Sequence, residues 1–294
     1  MSDRNKGIVA LIFLSAIFAS MGLFVRYLNI GFTLYQQVYL RLIAAMCIGL
    51  IAFYKDLRWR NFLRLTIKDW LILFVRAISM YAIGVTLFSK AIILTKYSNV
   101  SFISALPVTA LYGFLLLHER LTWKKISLIS VAFFGVLLIS ITDFAHIFDW
   151  GVGEIAALIS VFSFSLSYVA RKWQTQKLNN REITFLMFVL AFFSVLALSL
   201  FSKEPLPHVT WTIPFLLVIG IAGLFNVVNL FLTNYGFQHV KAVLASNLLT
   251  LESVFAIALG FLFYRELPSI KELVGGVLIV LSVIKMNQLE TKQN

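Results

Sequence analysis

The chain has 294 residues, 60% of them apolar and only 13% charged, with a mean hydropathy of +0.91, whereas an ordinary soluble domain carries about 25% charged residues. No aqueous fold hides that much apolar surface, so the composition implies an integral membrane protein whose excess apolar side chains face lipid. The formal net charge of +12 sits between apolar stretches, where it orients a chain in a membrane instead of binding nucleic acid, and the single cysteine, Cys47, excludes an intrachain disulfide and a Cys/His metal set.

Met1–Lys6 is short and polar and leads into apolar sequence with no small-residue cleavage site behind it. It reads as the start of a retained first helix, not as a cleaved signal peptide. Ten spans follow, each near the roughly 20 residues a bilayer core requires. The first half holds Gly7–Tyr27, Gln36–Tyr54, Trp70–Ser89, Ser98–Leu117 and Lys125–Thr142. The second holds Gly153–Arg171, Ile183–Phe201, Thr212–Thr233, Ala242–Phe263 and Lys271–Lys285. Runs this long lack the alternation of a barrel strand, so the expected fold is an all-α integral membrane protein.

Two nearly identical heptapeptides, Gly113-Phe114-Leu115-Leu116-Leu117-His118-Glu119 and Gly260-Phe261-Leu262-Phe263-Tyr264-Arg265-Glu266, stand half a chain apart. Weaker matches at the same offset, Ala10-Leu11-Ile12 over Ala157-Leu158-Ile159 and Ser20 over Ser167, extend the repeat to the first helix of each half. The chain thus reads as two units, 1–145 and 146–294. With five spans per unit the second enters the membrane from the opposite side, and inverted repeats of this kind are the usual basis of alternating access in transporters.

Most Lys and Arg fall in the segments on the side of the two termini, among them Lys55, Arg58, Arg60, Arg64, Arg120, Lys124 and Lys172. The positive-inside rule therefore predicts a multi-pass protein of the cytoplasmic (inner) membrane with both termini cytoplasmic. The tryptophans at 59, 70, 123, 150, 173 and 211 fall at or just beyond predicted span ends, the headgroup level such rings prefer.

Ten helices in two inverted halves, Tyr39-Leu40-Arg41 in the second span, Ala105-Leu106-Pro107 in the fourth, and a glutamate followed by Leu/Thr or Leu/Pro/Ser after the fourth and ninth resemble the EamA type of the drug/metabolite transporter superfamily. The resemblance covers essentially the whole chain. Its members often carry Glu-Pro in the ninth helix, where this sequence reads Glu252-Ser253; serine also bends helices in lipid. The resemblance implies a secondary transporter of small metabolites. Amino acids or related zwitterions, moved outward, are the leading class, and exchange of nucleotide-like metabolites such as S-adenosylmethionine is the alternative.

Ionisable groups inside spans are costly and face protein interior or water, so they lead the candidate site. Glu252 lies midway along the ninth span, as a pathway or titrating group or as a buried partner of an arginine. Arg76 lies two turns into the third span, as a pathway group or a snorkelling anchor. Arg41 is expected to tie helices together or gate, with pathway lining as the alternative. Asn226, Asn229 and Thr233 share one face of the eighth span, and Ser160, Ser163 and Ser167 one face of the sixth; the serines suit packing, the asparagines a wet cavity. Tyr39, Tyr81 and Tyr168 offer rings with hydroxyls for an amphipathic ligand. Pro107, Glu119 and Glu266 are expected to be structural or gating. Asn99 and Asn247 begin the fourth and ninth spans as caps or contacts.

No P-loop motif appears, the four histidines sit at span ends or in loops, and no paired carboxylates or nucleophile with its base lie inside the spans. Neither an enzyme nor a metal or cofactor site is expected, and a channel or purely structural role explains inverted halves less directly. The expected partners are a small-molecule substrate, membrane lipid and, through Glu252, a coupled proton; a monomer is the expected working unit.

Overall fold

The computed structural model describes residues 1–141, 150–208, 211–265 and 267–292, leaving the side chains of 263 and 264 aside. The expected division at 145/146, His146, the end of the fifth expected span at Thr142 and Glu266 lie outside the described residues. Within them the chain is helical, without strands, and nine helices are long and apolar enough to cross a membrane. These are α1 (Asp3–Leu28), α2 (Leu34–Phe53), α3 (Ile67–Leu94), α4 (Tyr97–Leu117), α5 (Trp123–Ser140), α6 (Val152–Trp173), α7 (Asn180–Phe201), α8 (Ile213–His239) and α9, which starts at Ala242. The helix α10 (Ile270–Lys292) follows, with charged residues in its first and last turns, and it packs along α5.

Several helices run further than the hydropathy pattern reads. The first begins at Asp3 because Ser2 accepts from the Asn5 backbone N–H and caps it, and the third begins at Ile67 because Thr66 and Asp69 close a reciprocal capping box. Polar turns outside the hydrocarbon extend a helix at no burial cost, so apolarity alone underestimates its length. The large side chains that remain exposed, such as Phe13, Phe193 and Leu281, form the lipid-facing surface that the composition demands.

The two halves make the same contacts at opposite ends. A Cβ added to Gly7, at the start of α1, would meet Val240 and His239 at the end of α8 at 3.0 and 3.1 Å; one added to Gly153, at the start of α6, would meet Thr95 at the end of α3 at 2.9 Å. Where α5 crosses α10 the pairing becomes reciprocal. A Cβ on Gly135 would lie 2.6 Å from the Gly275 carbonyl oxygen, and one on Gly275 would lie 2.5 Å from that of Gly135. Small residues of this kind let membrane helices close on one another by van der Waals packing.

Three helices depart from regular geometry midway. The third contains a π segment, Ile78–Val85, in which Thr86 Oγ donates back to the Tyr81 carbonyl at 3.0 Å. The fourth breaks between Tyr97–Ser104 and Val108–Leu117 at Ala105-Leu106-Pro107, since proline has no N–H to continue the ladder. The ninth breaks at Thr250, between Ala242–Leu249 and Leu251–Tyr264, without any proline. There the Thr250 hydroxyl donates to the Asn247 carbonyl at 2.7 Å, the back-bonding that bends helices.

The repeated heptapeptides end helices in the same way. His118 and Arg265 both adopt the left-handed conformation, at φ 55° and 56°, and turn the chain sharply at a helix C-terminus. The Glu119 carboxylate then accepts from the backbone N–H groups of Ala242 and Val243 at 2.7 and 3.0 Å, capping the first turn of α9 and tying the two halves together. Glu119→Ala leaves two helix-start N–H groups unpaired, so we expect a loss of about 2 kcal/mol and a lower thermal midpoint in detergent. Gly135→Val forces the α5–α10 crossing apart and is expected to cost about 1–3 kcal/mol by overpacking, whereas Gly276→Ala, with nothing within 4 Å of an added Cβ, leaves the midpoint unchanged.

Candidate functional site

The irregular segments of α3, α4 and α9 meet around one central cavity. Its wall takes Phe18, Met21 and Val25 from α1, Arg41 from α2, Met80, Tyr81, Val85, Phe88 and Ser89 from α3, and Ser101, Ser104 and Thr109 from α4. From the second half come Val161, Phe164, Ser165 and Tyr168 of α6, Asn226 and Asn229 of α8, and Thr250, Glu252 and Ser253 of α9. About 1070 Å³ of atom-free space lies within its bounds, open mouth included.

The local structure explains why those side chains reach it. The π segment turns Met80, Tyr81 and Val85 to the same wall, a use such segments often have at functional sites. At the break in α9, Thr250, Glu252 and Ser253 face inward, and at the break in α4 so do Ala105 and Leu106 beside Pro107. Across the wall the hydroxyls of Thr109 and Ser165 share a hydrogen bond of 2.8 Å, which joins α4 to α6.

Two charges stand in this wall without a counter-charge. Arg41 is buried, its Nε donates to the Gln37 carbonyl at 3.0 Å and a terminal nitrogen to Ser89 Oγ at 3.3 Å. These bonds tie α2 to α3 and engage two of the five N–H donors of a guanidinium. Glu252 is half-buried and makes no hydrogen bond or ion pair among the described residues; the hydroxyls of Tyr97 and Tyr168 lie within its electrostatic reach. A lone charge at bilayer depth costs about 2.5 kcal/mol or more, so each is kept where a ligand or water solvates it. Rings supply the remaining surface. Phe88 meets Phe164 at 6.0 Å, Phe164 stacks on Tyr168 at 6.2 Å, and Tyr168 stacks on Phe237 at 4.7 Å.

Glu252, Arg41, Asn226, Asn229, Tyr81 and Tyr168 are thus brought together on the cavity wall. Tyr39 is not on it and packs in the hydrophobic core. Arg76 is fully buried below the cavity, toward the end of the bundle that holds the termini. Its Nε donates to the Ser167 carbonyl at 3.1 Å, one terminal nitrogen to Gln174 Oε1 at 3.2 Å and the other to Asn234 Oδ1. Ser167 Oγ donates in return to the Arg76 carbonyl at 3.0 Å. Ser160 bonds only its own helix, at the Ala157 carbonyl, as a packing residue does. Asn99 and Asn247 make contacts between helices, Asn99 with Glu154 at 3.0 Å and Asn247 with Ser282 at 3.1 Å.

Sequence reasoning passed over Ser101 and Ser104, whose i, i+3 spacing marks one face of α4, and over Asn234, which adjoins the Asn226/Asn229/Thr233 stripe. It also gave Arg171 no role beyond closing the sixth span. The structure buries that residue in the 3-10 turn Ala170–Trp173, with 3% of its surface exposed.

The EamA-like transporter family matches residues 5–141 and again 151–288. The uncharacterized transporter sll1164 of Synechocystis is 24% identical over 252 residues, covering 82% of this chain and 72% of that protein. The uncharacterized transporter YcxC of Bacillus subtilis is 26% identical over 195 residues, 63% of this chain and 62% of its own. The pseudopaline exporter CntI of Pseudomonas aeruginosa is 28% identical over 179 residues, 60% of this chain and 61% of its own. The match spans less than two thirds of the last two proteins. A solved crystal structure superposes with a TM-score of 0.78 over 100% of this chain and 99% of its own at 15% identity, which is a likeness of fold.

Proposed function

Because the chain belongs to the EamA-like transporter family, we propose that it carries small zwitterions, amino acids and their relatives, out across the cytoplasmic membrane by alternating access. One observation carries the reading. A guanidinium, Arg41, and a carboxylate, Glu252, neither with a counter-charge among the described residues, share a cavity lined otherwise by rings, apolar side chains, hydroxyls and amides. A ligand with a carboxylate, an ammonium and an apolar side chain satisfies all three surfaces at once, whereas an anion or a cation leaves one protein charge exposed at bilayer depth. Asn226 and Asn229 supply donors and acceptors between the two poles.

The direction is supported by CntI, which is named an exporter, and the orientation by the excess of Lys and Arg on the side of the termini. On this reading α10 is the tenth span, both termini are cytoplasmic, the monomer is the working unit, and neither cofactor nor metal takes part. Glu252 also couples transport to protons. A proton on its carboxylate removes the counter-charge for the ammonium, so acidification drives ligand off. The titratable groups facing it are the phenols of Tyr97 and Tyr168, and an ordinary phenol stays neutral below about pH 9.

A thermal-shift panel of amino acids, nucleotides, sugars and S-adenosylmethionine tests the class, since a ligand that binds only the folded form raises its midpoint by mass action. L-Leucine and similar amino acids are expected to raise it, and Arg41→Gln and Glu252→Gln each to lower the affinity at least about tenfold, the equivalent of one lost ionic contact. A response confined to S-adenosylmethionine or nucleotides moves the assignment to exchange of nucleotide-like metabolites. In proteoliposomes the apparent affinity for leucine should weaken as pH falls, and Glu252→Gln should flatten that profile; an unchanged rate and pH dependence in this variant refutes the coupling role.

A further inference from the structure

Directly beneath the cavity, toward the termini, the bundle is closed by a network of side-chain donors. Arg76 from α3 reaches α6 at the Ser167 carbonyl, the chain after α6 at Gln174, and α8 at Asn234. Arg171 from the end of α6 donates to the Asn234 carbonyl at 3.1 Å and to Gln238 Oε1 at 2.6 Å. Asn234 in turn donates to Thr184 of α7 at 3.0 Å. Arg76 of the first half is thereby fastened to α6 and α8 of the second and, through Asn234, to α7, beside Tyr168 of the cavity wall.

The chemistry of this seal is unbalanced. Two guanidiniums lie within electrostatic reach of each other, 0% and 3% exposed, and no carboxylate pairs with either among the described residues. Neutral amide and carbonyl oxygens are their acceptors. The amide nitrogen of Gln174, itself 3% exposed, has no hydrogen-bond partner among the described residues. A buried cluster with two positive charges and a spare N–H donor lacks an anion, and the acceptor best matched to a guanidinium fork is a carboxylate. Asn234 holds the place that a carboxylate would fill, with an oxygen of the right geometry and no charge.

From this donor excess we infer that Arg76, Arg171 and Gln174 are the gate of the pathway at the end of the termini and a binding station for the carboxylate of the transported molecule. The ligand's carboxylate displaces the weaker amide oxygen of Asn234, separates α3 from α8, and passes from this pair to Arg41 in the cavity. A ligand shifts such an equilibrium only through its higher affinity for the open state, and an ionic bond in place of a neutral one supplies that difference. The inference rests on the cavity being the transport pathway.

The test uses the full-length protein in nanodiscs, with Cys47→Ala and a reporter thiol from Ala170→Cys, a residue 2% exposed in the turn that carries Arg171. Labelling by a hydrophilic maleimide then reports opening of the seal. Asn234→Asp supplies a resident carboxylate and is expected to slow labelling about tenfold, the weight of one charge-assisted contact, while Asn234→Ala, lacking the acceptor, labels faster. L-Leucine and 4-methylpentanoate, which carry a carboxylate, should speed labelling of the otherwise unaltered protein; 3-methylbutylamine, which carries none, should not. Labelling of Asn234→Asp at the unaltered rate, a response to none of the three compounds, or an equal response to the amine overturns the inference. If leucine raises the thermal midpoint without speeding labelling, the cavity reading stands and the gate falls. If 4-methylpentanoate speeds labelling while Glu252→Gln binds leucine unchanged, the gate stands and the zwitterion reading falls.

Discussion

In hydrocarbon no water is present to accept or donate a hydrogen bond, so a helix is interrupted only where protein or an enclosed aqueous space takes over its freed backbone groups. That constraint places the cavity. The breaks at Ala105-Leu106-Pro107 and at Thr250 and the π segment Ile78–Val85 lie at mid-depth in three different helices, and all three border the same space. Side-chain hydroxyls complete the accounting, Thr86 at the Tyr81 carbonyl and Thr250 at the Asn247 carbonyl. Had any of these interruptions faced lipid, it would have left several kcal/mol of unpaired backbone in the bilayer.

The same logic sorts the charges. Near the termini several ionic groups are paired across helices. Glu290 of α10 bridges Lys125 of α5 and Lys241 before α9, Arg181 of α7 meets Asp56 after α2 at 2.6 Å, and Lys177 meets Asp69 of α3 at 3.0 Å. The pairs at Asp56 and Asp69 are partly exposed and contribute little each, whereas Lys125 and Glu290 are buried; together they gather the helices at that end, where the Arg76 network also closes the floor. At Arg41 and Glu252 a charge stands at mid-depth without a counter-charge among the described residues, and such a charge is kept where protein, water or a ligand solvates it.

Much of this scaffold was legible in the sequence. Span positions followed from hydropathy because lipid-facing helices must be apolar over a fixed thickness, and the Glu119/Glu266 heptapeptides announced the duplication. The cavity was legible in part. Glu252, Asn226 and Asn229 stood out because polar residues inside apolar runs are rare, and they line it. Arg171 did not stand out, since a cation at a span end reads the same whether it is solvated or folded back beneath a neighbouring helix; only the 3-10 turn and the reach to Asn234 distinguish the two. Tyr39 shows the converse, as an aromatic inside a span packs in the core as readily as it lines a pathway. The break in α9 was open to sequence reasoning only through Ser253, whereas Thr250 provides the hydroxyl that makes it.

Where the two halves agree they build the frame, and where they differ they build the chemistry. Glu252 corresponds by the repeat to Ala105, and both border the cavity at a helix break, so one inherited irregularity carries a charge in one half and a methyl group in the other. Arg41 corresponds to Phe188, whose ring packs on Tyr81. Arg76 corresponds to Gly223, Arg171 to Phe24 and Asn234 to Leu87. The two guanidiniums and Asn234 therefore have no polar counterpart in the exchanged arrangement, where Phe24 meets Phe225 at 5.4 Å, although Ser167, Gln174 and Thr184 answer to Ser20, Tyr27 and Gln37. An inverted repeat makes the two packings alike in their glycine crossings and caps, which keeps their energies close. Replacing hydrogen bonds at one end by ring contacts at the other makes the two closures respond to different ligand groups, because a carboxylate competes with a hydrogen-bond acceptor and has nothing to displace between two phenylalanine rings. If Arg76 and Arg171 form the proposed gate, the direction of transport is set by which closure the ligand's polar head can open.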